Sequence, residues 1–261
     1  MASKGAAPAA ALQMWPLTKV PMVEPGDDLA GLLLSAVNHE SLSLQAGDVL
    51  VCAQKIVSKA EHRQFALADV EPSPAAQQLA QETEKDPRLV ELILQESTEV
   101  LRKKPGVIIV RHRLGLVGAN AGIDQSNIDH DGDAQALLLP KDPDESASAL
   151  VATIYARTAT PVGVIVADSM NRPWRMGTIG GAIGCAGVEV LEDHRGGVDL
   201  YGRELKVTLI NRADALAAAA TLLMGETTEK IPAVLVRGIA PFETDQSAAD
   251  IPRPLEEDMF R

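Results

Sequence analysis

The chain has 261 residues, 46% of them hydrophobic, enough to bury a substantial core as one large domain or two small ones. A formal net charge of −12 and an aromatic content of 3% exclude a general nucleic-acid binder with a basic face and a platform for stacking bases. They do not exclude a phosphorylated small molecule, because local arginines can override the overall field.

In chain order, the Ala-rich opening lacks a continuous apolar run, which predicts a disordered tail over residues 1–15 rather than a signal peptide. The folded body is then expected over 16–241. Glu24-Pro25-Gly26-Asp27-Asp28 marks a turn with acids placed ahead of a helix that carries Leu29, Leu32, Leu33 and Val37. Ala46-Gly47-Asp48 then turns into Val49-Leu50-Val51-Cys52-Ala53, which reads as a buried strand. Residues 73–102 read as helical with a break at Asp86-Pro87. Leu89, Ile93, Glu96 and Val100 share helical spacing there, so Glu96 closes a polar gap or faces a site. Residues 107–110 and 114–117 predict a strand pair with His112-Arg113 near its turn, and a loop rich in Asp, Asn and Gly covers 120–144.

A helix follows from Glu145 to Arg157, and the β-branched run 162–166 predicts a strand ending at Asp168, ahead of a Gly-rich segment. Strands at 188–190 and 205–210 precede an Ala-rich helix over 213–224, residues 231–236 form a last strand, and the acidic end 242–261 reads as mobile. Irregular interleaving and short turns favour an α+β fold of mixed, mainly antiparallel sheets with helices over a doubly wound one. Cys52 and Cys185 lack metal-ligand spacing and read as buried free thiols. The helix over 213–224 contains Asp214 and is too short to cross a bilayer. A cytoplasmic protein with no membrane or nucleic-acid partner is expected.

No P-loop, dinucleotide fingerprint or zinc-protease motif is present, and Pro140 stands at the twelfth position of the one calcium-loop lookalike. Five polar clusters remain. Lys55 and Lys59 are four apart and can share a helix face with Arg63, either as a solvated basic face or as a phosphate contact. In Asn120-Ala121-Gly122-Ile123-Asp124-Gln125-Ser126-Asn127, Asp124 offers a metal ligand or caps an ordinary Asx turn. Asp168-Ser169 supplies two hard oxygens suited to magnesium or manganese, and Arg172 and Arg175 can hold an anion, so a functional site is preferred over a surface ion pair. Arg195 and Arg203 either stabilise a hairpin or clamp an anionic acceptor. Gly225 is a natural helix terminator that leaves Glu226, Thr227 and Thr228 as optional ligands.

Taken together, VCAQKIVSKAEHR at 51–63, NAGIDQSN at 120–127, DSMNRPWRMG at 168–177, DLYGRE at 199–204 and LMGETTEKIPAVLVRG at 223–238 resemble the coenzyme F-420 gamma-glutamyl ligases. The likeness runs in order from about Val20 to Gly238. It implies a two-lobed α+β subunit in an intertwined homodimer that spends GTP to add L-glutamate to the glutamate-free deazaflavin cofactor precursor, with further gamma-linked glutamates following. It also implies magnesium or manganese, as two ions, and leaves room for a monovalent cation such as potassium.

By matching positions, Val20, Pro21, Met22, Val23, Gln54, Lys59 and Asn127 would contact GTP. Met224, Gly225, Glu226, Thr227, Thr228, Glu229, Lys230 and Ile231 would close over it. Asp124 and Asp168 would hold one metal, and Ser169 and Glu226 would help hold the second. Lys59, Asp168, Arg172 and Arg175 would carry the catalysis, with the cations stabilising charge on the transferring phosphoryl group. The family often has Thr at Ser169, Gly at His62 and Asn171, and in some members Ser at Gln54. The competing readings are a catalytically silent GTP- and metal-binding module, and a ligase of the same chemistry acting on another carboxylate acceptor.

Overall fold

The computed structural model describes residues 11–128, 130, 132–171, 173–239 and 244–259. The chain opens with a short strand, β1 (Gln13–Pro16), followed by α1 (Leu29–His39), which Asp28 caps by accepting the Gly31 amide. The buried β2 (Val49–Ala53) runs directly into α2 (Gln54–Ala60), and β3 (Gln64–Ala66) follows. Next come α3 (Pro74–Thr83) and α4 (Pro87–Gln95), each with a proline at its start and a capping side chain, Ser73 or Asp86. The strands β4 (Ser97–Lys104), β5 (Val107–His112) and β6 (Val117–Ala119) form an antiparallel sheet, and β7 (Gln135–Leu137) pairs with β3. Helix α5 (Pro143–Thr158) leads to β8 (Gly163–Met170) and β9 (Ile179–Ala186). A hairpin of β10 (Leu191–Asp193) and β11 (Leu209–Asn211) feeds α6 (Arg212–Met224), and β12 (Ala233–Arg237) follows.

The central five-stranded sheet has the order β1-β12-β2-β8-β9. Its pairs are antiparallel except β2 with β8, which run parallel. Both faces of β2 are buried because helices cover both sides. Leu50 and Cys52 pack with Leu33 and Ile154 from α1 and α5, while Val49 and Val51 pack with Ala217 and Ala220 of α6. A separate cluster lies where Leu79, Leu89 and Ile93 of α3 and α4 cover Ile108 and Val110 of β5. The expected α+β class of mainly antiparallel sheets is what the chain forms. Cys52 and Cys185 are free and buried, and burial pushes the Cys52 thiol up to about 12.

Several expected boundaries give way. The helical reading of 73–102 fails after Glu96, because Thr98 and Val100 favour an extended strand and Glu96 closes α4. The Gly-rich segment is a strand, β9. A Cβ at Gly180 would lie 2.6 Å from the Ala217 carbonyl oxygen of α6, and one at Gly184 would collide with the Pro143 carbonyl of α5. Glycine there lets helices approach from both faces, so the composition that signals a loop serves close packing. The strands expected at 188–190 and 205–210 lie later, as β10 and β11, and β7 interrupts the loop expected over 120–144. Residues 13–15, placed in the tail by the sequence, belong to β1. Residues 244–259, expected to be a mobile acidic end, make defined contacts. Gln246 accepts the amides of Val190 and Leu191, and Asp144 accepts those of Cys185 and Ala248.

Candidate functional site

The parallel pairing of β2 with β8 ends at Ala53 and Ala167, so Gln54, where α2 begins, and Asp168, still within β8, come side by side there. Ligands in α/β layers collect at that end of a parallel pair. A cavity of about 680 Å³ opens there, walled by residues 20–23, by α2, by Asn127 and by the loop 224–231, with Asp168 and Ser169 at its base. The loop is shaped by Gly225 at φ +71° and Lys230 at φ +57°, and Asn127 donates to the Thr227 carbonyl across the cavity mouth at 3.1 Å. Lys59 in turn donates to the Asn127 carbonyl at 3.2 Å.

Gln54 is 1% exposed. Its Oε1 accepts the Ser58 hydroxyl at 2.8 Å, while its Nε2 has no partner among the described residues. A buried donor left unpaired costs free energy that a ligand acceptor can recover. The half-buried Asp168 carboxyl is raised to about 7, chiefly by desolvation. The charges of Asp124 and Glu226 push it the same way, and the Ser169 amide and Lys55 oppose them. Ser169 donates to Glu226 Oε2 at 2.6 Å. Asp124 sits beside the cavity, where Lys55 forms an ion pair with Oδ2 and Ser126 donates to Oδ1 at 2.7 Å.

Asp168 lies within electrostatic reach of both Asp124 and Glu226, but the three acids form no cage. Among the described residues, no three His, Cys, Asp or Glu side chains come together closely enough to hold a metal. The donor set is nevertheless hard oxygen with excess negative charge, which suits magnesium or manganese completed by ligands from a polyanion.

Residues 18–238 match the family described as F420-0:Gamma-glutamyl ligase. The chain belongs to this family. Relatives named Coenzyme F420:L-glutamate ligase include one from Methanothermobacter thermautotrophicus, 44% identical over 244 residues, covering 93% of this chain and 96% of the relative. Another, from Methanopyrus kandleri, is 45% identical over 254 residues, covering 96% and 98%. A third, from Archaeoglobus fulgidus, is 42% identical over 250 residues, covering 96% of each.

His62 holds φ +57°, a conformation that glycine adopts without strain and a histidine rarely adopts. The residues expected to contact nucleotide, 20–23, Gln54, Lys59, Asn127 and 224–231, all line the one cavity, as do Asp168 and Ser169. Arg175 does not join them, because it sits in an exposed loop beside Trp174 and Met176. Arg172 lies outside the described residues. Arg195 pairs with Asp193 on the hairpin, and neither it nor Arg203 lines the cavity, so the arginine clamp expected from these two residues is not brought to it. Thr18, Lys55 and Thr221 line the cavity although none was assigned a part in the site, and Lys55 alone had given a signal, its four-residue spacing from Lys59. No helix among the described residues is long and apolar enough to cross a membrane.

Proposed function

We propose that this chain joins L-glutamate to the glutamate-free deazaflavin precursor of coenzyme F-420 at the expense of GTP, and that further gamma-linked glutamates follow. The observation that carries this reading is the cavity in which five distant sequence segments meet, bringing Asp168, Ser169 and Glu226 together with Lys55, Lys59 and Lys230. Family membership supports ligase chemistry, and the relatives' names support the substrate pair.

A carboxylate is a poor acyl donor because oxide is a poor leaving group, so the acceptor must first be activated. A carboxylate oxygen of the acceptor attacks the gamma-phosphorus of GTP, the bond from that phosphorus to the bridging oxygen breaks, and an acyl phosphate and GDP result. The glutamate amine then attacks the carbonyl carbon, the carbon–oxygen bond to phosphate breaks, and the amine proton passes to solvent or to released phosphate. Asp124 and Asp168 would hold one divalent ion, and Ser169 with Glu226 the second. When bound, these ions supply charge neutralisation along the triphosphate. Gln54 would donate its unpaired Nε2 to the nucleotide, and Lys59 would face the phosphate chain. The loop 224–231 would cover the nucleotide and keep water from the activated acyl group.

A cytoplasmic homodimer belongs to the same reading, supported by apolar side chains on the β10–β11 hairpin that are left in solvent, Leu200 and Tyr201 among them. Mass spectrometry of the purified protein with the glutamate-free cofactor, GTP, manganese and L-glutamate tests the proposal. Product heavier by whole glutamyl units is expected. Nucleotide binding without GDP release or mass gain would instead identify a silent module.

A further inference from the structure

Asp124 is tied at both its backbone and its side chain. Its amide donates to the Leu137 carbonyl and its carbonyl accepts the Leu137 amide, locking it to β7. Its Oδ1 accepts both the Ser126 amide at 3.0 Å and the Ser126 hydroxyl at 2.7 Å. The remaining oxygen, Oδ2, is taken by the Lys55 ammonium. Lys55 is held far less firmly. Its other contact is Ser126 Oγ at 3.4 Å, and its four-carbon stem rises from α2 into the cavity wall next to Gln54.

An ammonium and a divalent cation on one carboxylate oxygen repel each other at short range. The fixed partner cannot retreat, so the flexible one must. Lys55 and Lys59 lie four residues apart on α2, and both line the cavity proposed to hold the triphosphate, so a released Lys55 ammonium has an anionic destination within reach of its own stem.

We propose that Lys55 is an exchangeable counterion, neutralising Asp124 until a divalent cation takes that carboxylate and then turning to the phosphate chain of the nucleotide. The inference rests on the metal- and GTP-dependent reading above. It couples metal entry at Asp124 to the grip of Lys55 on the nucleotide.

Lys55→Met and wild type are compared in two titrations, manganese without nucleotide by loss of the free-ion electron-spin signal, and a non-hydrolysable GTP analogue at saturating manganese. The variant is expected to bind manganese about tenfold more tightly and the analogue about tenfold more weakly, with Lys55→Arg restoring the analogue's affinity. A merely structural lysine would move both affinities the same way or neither, and either result overturns the proposal. In wild type, limited acetylation read by mass spectrometry, with exposed Lys104 as reference, is expected to rise at Lys55 on manganese binding and to fall when the analogue is added. Unchanged labelling despite bound manganese contradicts the exchange alone. No manganese binding by either protein contradicts both the exchange and the metal-dependent reading.

Discussion

At Gln54 and Glu96 two buried polar side chains are treated in opposite ways by their surroundings. Gln54 lines the cavity with an unpaired Nε2, so within the fold replacing it with Met removes only the Ser58 contact. Gln54→Met is expected to weaken GTP binding about tenfold while shifting stability by less than about 1 kcal/mol. Calorimetric titration and thermal melts check the two halves separately. Glu96 is over-satisfied. Burial alone would raise its carboxyl, yet His112, Arg63 and Arg113 around it hold it at about 2.

A carboxyl depressed on folding contributes stability that is complete above its unfolded value near 4.5 and is lost as pH falls through 2. The depression is worth on the order of 3 kcal/mol. Glu96→Gln is therefore expected to melt well below wild type at pH 6, with the gap closing as the pH approaches 2. A gap that stays constant with pH would contradict the ion-pair account.

Among the elements, legibility followed the competition between local pattern and packing. Residues 49–53 read correctly as a buried strand because all the side chains on both faces are apolar and the flanking turn is explicit. Helix α1 was legible from the turn and acids ahead of its apolar positions, and α6 from its run of alanines. Strand β9 was not, since Gly180 and Gly184 are required by helices distant in sequence, and no local signal reports that demand. For the same reason Gly180→Ala is expected to cost about 1–3 kcal/mol, because the backbone of α6 cannot yield to the added methyl. Chemical denaturation measures it, and an unchanged midpoint would contradict the close approach of α6 to β9. The helix expected past Glu96 shows the converse, a periodicity that continues in the sequence after the chain has turned to strand. Within the site, the cavity-lining segments were found through the family resemblance, since Val20 to Val23 carries no polar signal and the Lys55–Lys59 spacing alone also reads as a solvated face. The part of Lys55 was not, because only folding brings it to Asp124, 69 positions away.

For the whole molecule, the hairpin between β10 and β11 ends in Leu200, 98% exposed, and Tyr201, 95% exposed. Such side chains are retained where a second surface covers them. If the chain is the homodimer proposed above, Leu200→Asp combined with Tyr201→Ser is expected to leave a monomer in light scattering, and a monomeric wild type would contradict that proposal. The acidic balance of the chain also acquires a local counterpart, since Lys55 and Lys59 place positive charge in the wall of the cavity where an anionic nucleotide is proposed to enter.

The most direct test of the central claim is the ratio of GDP released to glutamyl units added, measured on the same samples for wild type and Asp168→Asn. The account predicts one GDP for each glutamate joined in the wild type, and loss of both products together, by at least about a hundredfold, in a variant that folds normally. Glutamate addition without GDP release, or near-wild-type turnover by Asp168→Asn at saturating metal, would contradict it.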